Sequence, residues 1–169
     1  YTEKFGKAAY ITKATAQLMR DLGSVQAPLN AFLLNLGLET LPLRVKKHCE
    51  NARAIASYLS YHPMVEWVNY PDLADNRYHA RAEKYLPHGS SGVNGGREAA
   101  TKLMDHMRLA AIVTHVADSR TCLLHPASTT HRQLTDAQLV ECGVSPELIR
   151  LSVGIEDVND IIADLDQAL

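Results

Sequence analysis

Apolar positions recur every three or four residues along most of this chain and alternate along one short stretch. In residues 5–22 the small or apolar side chains Ala8, Ile11, Thr15, Leu18 and Leu22 share one helical face. Gly23 stands where a C-terminal cap belongs. Pro28 opens a second helix over 29–36, proline being tolerated in a first turn. Its Leu29, Phe32, Leu33, Leu34 and Leu36 predict burial nearly all round, and Gly37 is placed to break it. Thr40 and Pro42 mark the start of a third helix reaching about residue 60, with Leu41, Val45, Cys49, Ala52, Ile55, Ala56 and Leu59 as its apolar stripe. Val65, Trp67 and Val68 suggest a short strand before Pro71, residues 75–85 a short polar helical excursion, and residues 97–109 an amphipathic helix. Ile112-Val113-Thr114-His115-Val116 and Thr121-Cys122-Leu123-Leu124 are strand candidates around a polar turn at Asp118-Ser119, as in a hairpin. Thr135 caps a short helix ending at Gly143. Ile155, Val158, Ile161, Ile162, Leu165 and Leu169 make a C-terminal helix with acidic residues on its outer face. The fold class this predicts is α+β, a small mainly antiparallel sheet with helices packed on one side.

The alternating stretch is Leu148-Ile149-Arg150-Leu151-Ser152-Val153-Gly154. As a strand it puts Ile149, Leu151 and Val153 on one face, and Leu148, Arg150 and Ser152 on the other. An arginine centred in a short apolar strand is costly to bury without a partner. Its planar fork suits a carboxylate held through two parallel hydrogen bonds. That carboxylate is either an Asp or Glu of the chain or a group on a substrate, and spacing alone leaves both open.

Composition narrows the classes. The 169 residues with 46% hydrophobic content suffice for a core, and a net charge of −2 with interspersed signs argues against a nucleic-acid or membrane-surface protein. No apolar run approaches the roughly 20 residues of a membrane span. Cys49, Cys122 and Cys142, set among apolar neighbours, read as reduced core thiols of a cytosolic protein. His115, His125 and His131 with Cys122 lack the tight spacing of a zinc site. The glycine-rich stretch 89–96 lacks the Lys-Ser/Thr pair of a phosphate loop, and no G-x-S-x-G elbow supports a serine triad. Beginning at Tyr1 and entering a helix at once, the chain reads as a piece of something longer.

His125-Pro126-Ala127-Ser128-Thr129-Thr130-His131, Leu148-Ile149-Arg150-Leu151-Ser152-Val153-Gly154-Ile155-Glu156 and Asp160-Ile161-Ile162-Ala163-Asp164-Leu165 together resemble the C-terminal signature of the Cys/Met-metabolism enzymes that depend on pyridoxal 5'-phosphate (PLP). Pro28-Leu29-Asn30-Ala31-Phe32-Leu33-Leu34 and Gly37-Leu38-Glu39-Thr40-Leu41 resemble the helix pair that opens the family's C-terminal half. The Gly-Leu-Glu-Thr-Leu wording and the long 70–88 excursion are most similar to the O-acetylhomoserine sulfhydrylase branch, and the resemblance covers essentially the whole chain.

The resemblance implies the C-terminal domain of a fold-type I PLP-dependent transferase. Residues 1–23 would be a helix continuing from a cofactor domain upstream, and 24–169 the C-terminal substrate-binding domain. It implies PLP bound mainly by that other domain, and γ-replacement making homocysteine (or methionine) from O-acetylhomoserine and sulfide (or a thiol), in a cytoplasmic homotetramer. Arg150 falls on the arginine that grips the substrate α-carboxylate. His115 falls where relatives carry a Ser or Asn that helps hold the same group, and 125–131 would be a supporting loop beside the active site. Two departures stand out. The Ser-x-Thr-Lys setting of the Schiff-base lysine and the elements that hold the cofactor are missing, so no catalytic residue is assigned here and the chain alone is expected to be inactive. Between Gly92-Val93 and Gly95-Gly96, where relatives place a Ser-Phe-x-x-Lys strand, only Asn94 stands. Rival readings are cystathionine γ-synthase or γ-lyase activity, a non-catalytic amino-acid or partner-binding domain, and zinc hydrolysis.

Overall fold

The computed structural model describes residues 1–87, 89, 97–115 and 117–169. It divides into two compact units, Tyr1–Leu41 and Pro42–Leu169.

In the first unit helical backbone runs from α1 (Thr2–Phe5) through α2 (Ala9–Lys13) to α3 (Arg20–Leu22). A 3₁₀ turn at Gly6–Ala8 and a π-helical stretch at Ala14–Met19 interrupt it. Gly23 closes it at φ +68°, a left-handed cap that costs glycine nothing because there is no Cβ. Helix α4 (Pro28–Glu39) starts with its proline in the first turn as expected, but it runs through Gly37. Its Leu29, Phe32, Leu33, Leu34 and Leu36 are at least half exposed. Both expectations fail for a physical reason. A glycine costs a helix interior only about 1 kcal/mol, and an apolar circumference says what a helix can bury, not what its own unit supplies to bury it.

The second unit is built on α5 (Leu41–Ser60). Its stripe is buried at Ala52, Ile55, Ala56 and Leu59, whereas Val45 in the N-terminal half is exposed. Helices α7 (Arg97–His106) and α9 (Val158–Ala168) bring Ala100, Leu103, Ile161 and Leu165 to the same core, where they meet Leu123, Ile149, Leu151 and Val153. Turns after Pro71 lead into α6 (His79–Tyr85). The short α8 (Asp136–Glu141) carries a full capping box, Thr135 with Gln138. The predicted strand at Val65, Trp67 and Val68 does not form. The two that pack on the core, Val65 and Val68, lie three apart, which is not the alternation of a strand.

The sheet comprises β1 (Ala111–Ile112), β2 (Cys122–Leu124) and β3 (Arg150–Ser152) in that order. Strands β2 and β3 are antiparallel, with Leu124 opposite Arg150 and Cys122 opposite Ser152. Ile149, Leu151 and Val153 are buried while Arg150 and Ser152 are half-buried, so the alternation read from the sequence holds. Strand β1 joins β2 in parallel, not as the expected hairpin. A two-residue turn reverses a chain; the longer link 113–121 instead carries it back to start β2 beside the start of β1. All three residues of β2 are buried, so both of its faces are covered.

Two buried polar residues escaped the periodicity. Asp164, on the helix read as acidic outward, is 6% exposed, and its carboxylate accepts the backbone N–H groups of Arg108, Leu109 and Ala110 at 2.8, 2.8 and 3.1 Å. Asn51, in the middle of α5, donates to the carbonyls of Gly154 and Glu156 at 3.0 and 2.8 Å. The cysteines are free, but only Cys122 is fully buried and Cys142 is exposed, so the core-thiol reading fails there. No helix among the described residues is long and apolar enough to cross a membrane. The glycine-rich stretch and the Asn94 gap lie, Gly89 apart, outside the described residues.

The exit from β3 is clasped. Glu156 accepts from Thr121 N–H at 2.6 Å and from its hydroxyl at 2.9 Å, while the hydroxyl oxygen accepts Gly154 N–H at 2.9 Å. His48 Nδ1–H donates to the Val153 carbonyl at 2.6 Å. A Cβ on Gly154 would overlap both the Glu156 carboxylate and the Thr121 backbone nitrogen. Gly154→Ala is therefore expected to destabilise the fold by about 2–3 kcal/mol, as overpacking against backbone does; chemical denaturation reads this directly, and an unchanged midpoint would contradict the clasp.

Candidate functional site

The alternation that buries Ile149, Leu151 and Val153 turns Arg150 to the other face of β3, opposite Leu124. One end of its guanidinium is committed, for Nη2–H donates to the carbonyl of His115 at 3.2 Å. Its Nε is buried without a hydrogen-bond partner among the described residues. None of the ion pairs among the described residues involves Arg150. A buried N–H donor left unmade costs about 1–3 kcal/mol, more when charged, so an orphan here marks a place where something else supplies the acceptor. Of the two partners open from the sequence, an Asp or Glu of the chain is not found among the described residues.

His115 lies in the link between β1 and β2. Its carbonyl meets Arg150, and its half-exposed ring donates Nδ1–H to Asp118 Oδ2 at 3.2 Å. Asp118 also takes three donors from Arg120: N–H at 3.0 Å and Nε–H at 3.2 Å on Oδ1, and Nη2–H at 2.9 Å on Oδ2. The hydrogen bonds from Arg120 first, then that from His115, hold the Asp118 carboxyl well below the usual carboxylate range. Ala117, between His115 and Asp118, sits at φ +63°, the left-handed region that favours glycine. The sequence reads Asp118 with Ser119 as a polar turn and gives Arg120 no role. Their Asp-x-Arg spacing, which lets a guanidinium reach back to a carboxylate two residues earlier, was the available signal.

The histidine loop is a fitted brace. His125 is 1% exposed; Nε2–H donates to the Pro146 carbonyl at 2.9 Å and Nδ1 accepts from the Ser128 hydroxyl at 2.8 Å. With both nitrogens engaged, His125 has no lone pair to offer a metal. His131 Nδ1 pairs with the Thr130 hydroxyl. Among the described residues no three His, Cys, Asp or Glu side chains group around a common point. Burial first, then the nearby Asp118 carboxylate, pushes the Cys122 thiol up, away from the reactive thiolate.

A family model for the Cys/Met metabolism PLP-dependent enzymes matches residues 5–169. This chain belongs to that family. Among its relatives, the O-acetyl-L-homoserine sulfhydrylase of Leptospira meyeri is 43% identical over 99% of this chain, and the homocysteine synthase of Schizosaccharomyces pombe 45% identical over 100%. The chain spans about 40% of the length of these curated relatives. A Campylobacter jejuni structure assigned as an O-acetylhomoserine (thiol)-lyase, which holds a pyridoxyl-lysine-phosphate, superposes with a TM-score of 0.86 at 38% identity, covering 98% of this chain and 40% of that one. An O-acetylhomoserine sulfhydrylase of Wolinella succinogenes gives 0.78 at 34%, covering 100% and 46%. The C-terminal fold of PLP-dependent transferases expected from the sequence is thus the one observed.

Members of the family depend on PLP, but the residues described here do not fit its attachment. None of the chain's lysines is buried or lies in a Ser-x-Thr-Lys setting, and the one orphaned donor of the site belongs to a fork that matches a carboxylate.

Proposed function

We propose that this chain is the substrate-binding C-terminal part of a PLP-dependent enzyme that makes homocysteine (or methionine) from O-acetylhomoserine and sulfide (or a thiol). In the net γ-replacement the Cγ–O bond breaks, acetate leaves, and sulfur forms the new bond to Cγ. The observation that carries the reading is the buried Nε of Arg150, without a partner among the described residues, beside a committed Nη2. A substrate α-carboxylate supplies the two acceptors such a fork needs. Fixing that end sets the direction of the rest of the amino acid before the chemistry begins. His115 is the second group of the same site.

Cofactor attachment and proton transfer belong, in this reading, to the portion of the relatives' length that the chain does not span, upstream of a connecting helix at 1–23, and the chain alone is inactive. The intact protein acts in the cytoplasm as a homotetramer, the state that the family resemblance implies. The test is to supply the full-length protein with O-acetylhomoserine and sulfide, then measure acetate and homocysteine. Release of the two in equal amounts is the expected result. Cystathionine formed with cysteine while sulfide goes unused would move the assignment to cystathionine γ-synthase, and no turnover of either kind would leave a non-catalytic binding domain.

A further inference from the structure

The link between β1 and β2 is tied more tightly than a turn requires. One hydrogen bond from Arg120 N–H to the Asp118 side chain already makes the local Asx-type turn. Three further side-chain donors converge on the same carboxylate: Arg120 Nε–H and Nη2–H and His115 Nδ1–H. The His115 side chain is 57% exposed, and among the described residues Asp118 is the acceptor that holds its ring. Ala117 meanwhile keeps a left-handed backbone at φ +63°, a conformation that disfavours a residue with a Cβ. The outcome of this arrangement is the position of one atom, the His115 carbonyl oxygen, at 3.2 Å from Arg150 Nη2.

That position matters for a fork. A guanidinium presents a flat edge, and a carboxylate is gripped in two places only when the edge faces it squarely. With Nη2 tethered to a fixed carbonyl and Nε buried without a partner among the described residues, the direction of the edge follows from where the carbonyl stands. We propose that Asp118 is a positioning residue for the carboxylate site: by latching His115 and Arg120 it holds the His115 carbonyl in place and so sets the direction of the Arg150 fork. His115 then serves through its backbone oxygen, with its ring as the latch. This rests on the reading of Arg150 as the carboxylate anchor and adds the element that aims it.

The test is a double-mutant cycle in the full-length protein. Asp118→Asn keeps the size of the side chain and one acceptor oxygen but loses the charge that gathers the Arg120 fork. It is expected to raise the KM for O-acetylhomoserine roughly tenfold, with kcat changed less than about twofold, as a misaimed anchor does. Arg150→Lys replaces the fork with a point charge that has no edge to aim. In that background the Asp118→Asn effect should shrink below about twofold, the signature of residues that act through one another. Thermal unfolding of each variant runs alongside, and Asp118→Glu, which restores the charge, should recover most of the lost affinity. If Arg150→Lys leaves KM unchanged, the carboxylate reading itself falls. If Arg150→Lys raises KM but Asp118→Asn does not, or raises it equally in both backgrounds, the anchor stands and the positioning role is overturned. A rise in KM that accompanies a lower unfolding temperature and is unrelieved by Asp118→Glu overturns it as well.

Discussion

Arg150→Ala in the full-length protein is expected to raise the KM for O-acetylhomoserine roughly a hundredfold, with little change in thermal stability. Removing one partner of a desolvated, hydrogen-bonded charge pair costs about 2–5 kcal/mol, and each 1.4 kcal/mol is tenfold in affinity. The stability side of the prediction separates the two readings left open by the sequence. A structural ion pair would lose its attraction on mutation and leave a buried carboxylate behind, which destabilises strongly. Arg150 has no such partner among the described residues; its side-chain hydrogen bond there goes to one carbonyl at 3.2 Å. Steady-state kinetics beside thermal unfolding therefore decides the matter. An unchanged KM with a large fall in the unfolding temperature would make Arg150 a structural residue.

Asp164→Ala should instead destabilise the fold by about 3 kcal/mol or more, because the backbone N–H groups of Arg108, Leu109 and Ala110 lose their acceptor and each unmade bond costs about 1–3 kcal/mol. The same carboxylate gives stability a pH dependence of defined sign. Burial pushes its pKa up, but the three backbone donors and Gln167 pull it further down, so that it ends below the ordinary value of 3.8. A group whose pKa is lower folded than unfolded contributes fully above its unfolded value and loses that contribution as pH falls through the folded one. Below about pH 3.8 the wild type should lose stability faster than Asp164→Ala, and denaturant midpoints measured between pH 5 and 2.5 read the difference. Parallel pH profiles would show that another carboxylate governs acid unfolding.

Legibility in the sequence followed the range of the interactions. Gly23 as a cap, Thr135 with Gln138 as a capping box and the alternation through Ile149, Leu151 and Val153 were readable because their partners lie within a few residues. The ordered motifs around His125 and Arg150 were enough for the family. Distant partners left no such trace. The acceptor role of Asp164 depends on N–H groups some 55 residues earlier, and that of Asn51 on carbonyls more than 100 residues later. The parallel pairing of β1 depends on the path of the link 113–121, in which Asp118-Ser119 resembles a hairpin turn, and the exposure of α4 depends on what the rest of its unit supplies. In the candidate site Arg150 was visible as an anomaly of its strand. Asp118 and Arg120 were not, since two polar residues in a turn call for no explanation until their donors are seen to converge.

The ties between α5 and residues 153–166 bear on how the second unit folds during synthesis. His48, Asn51 and Tyr58 of α5 find their partners at Val153, Gly154, Glu156 and Asp166. These groups of α5 therefore wait for residues 153–166, about 100 positions later, to leave the ribosome before they find their partners. Contacts across such separations slow folding, because the closure entropy of a long loop is lost before any contact repays it. A nascent chain paused before residue 150 would expose the apolar stripe of α5 without β3 and α9, which cover it.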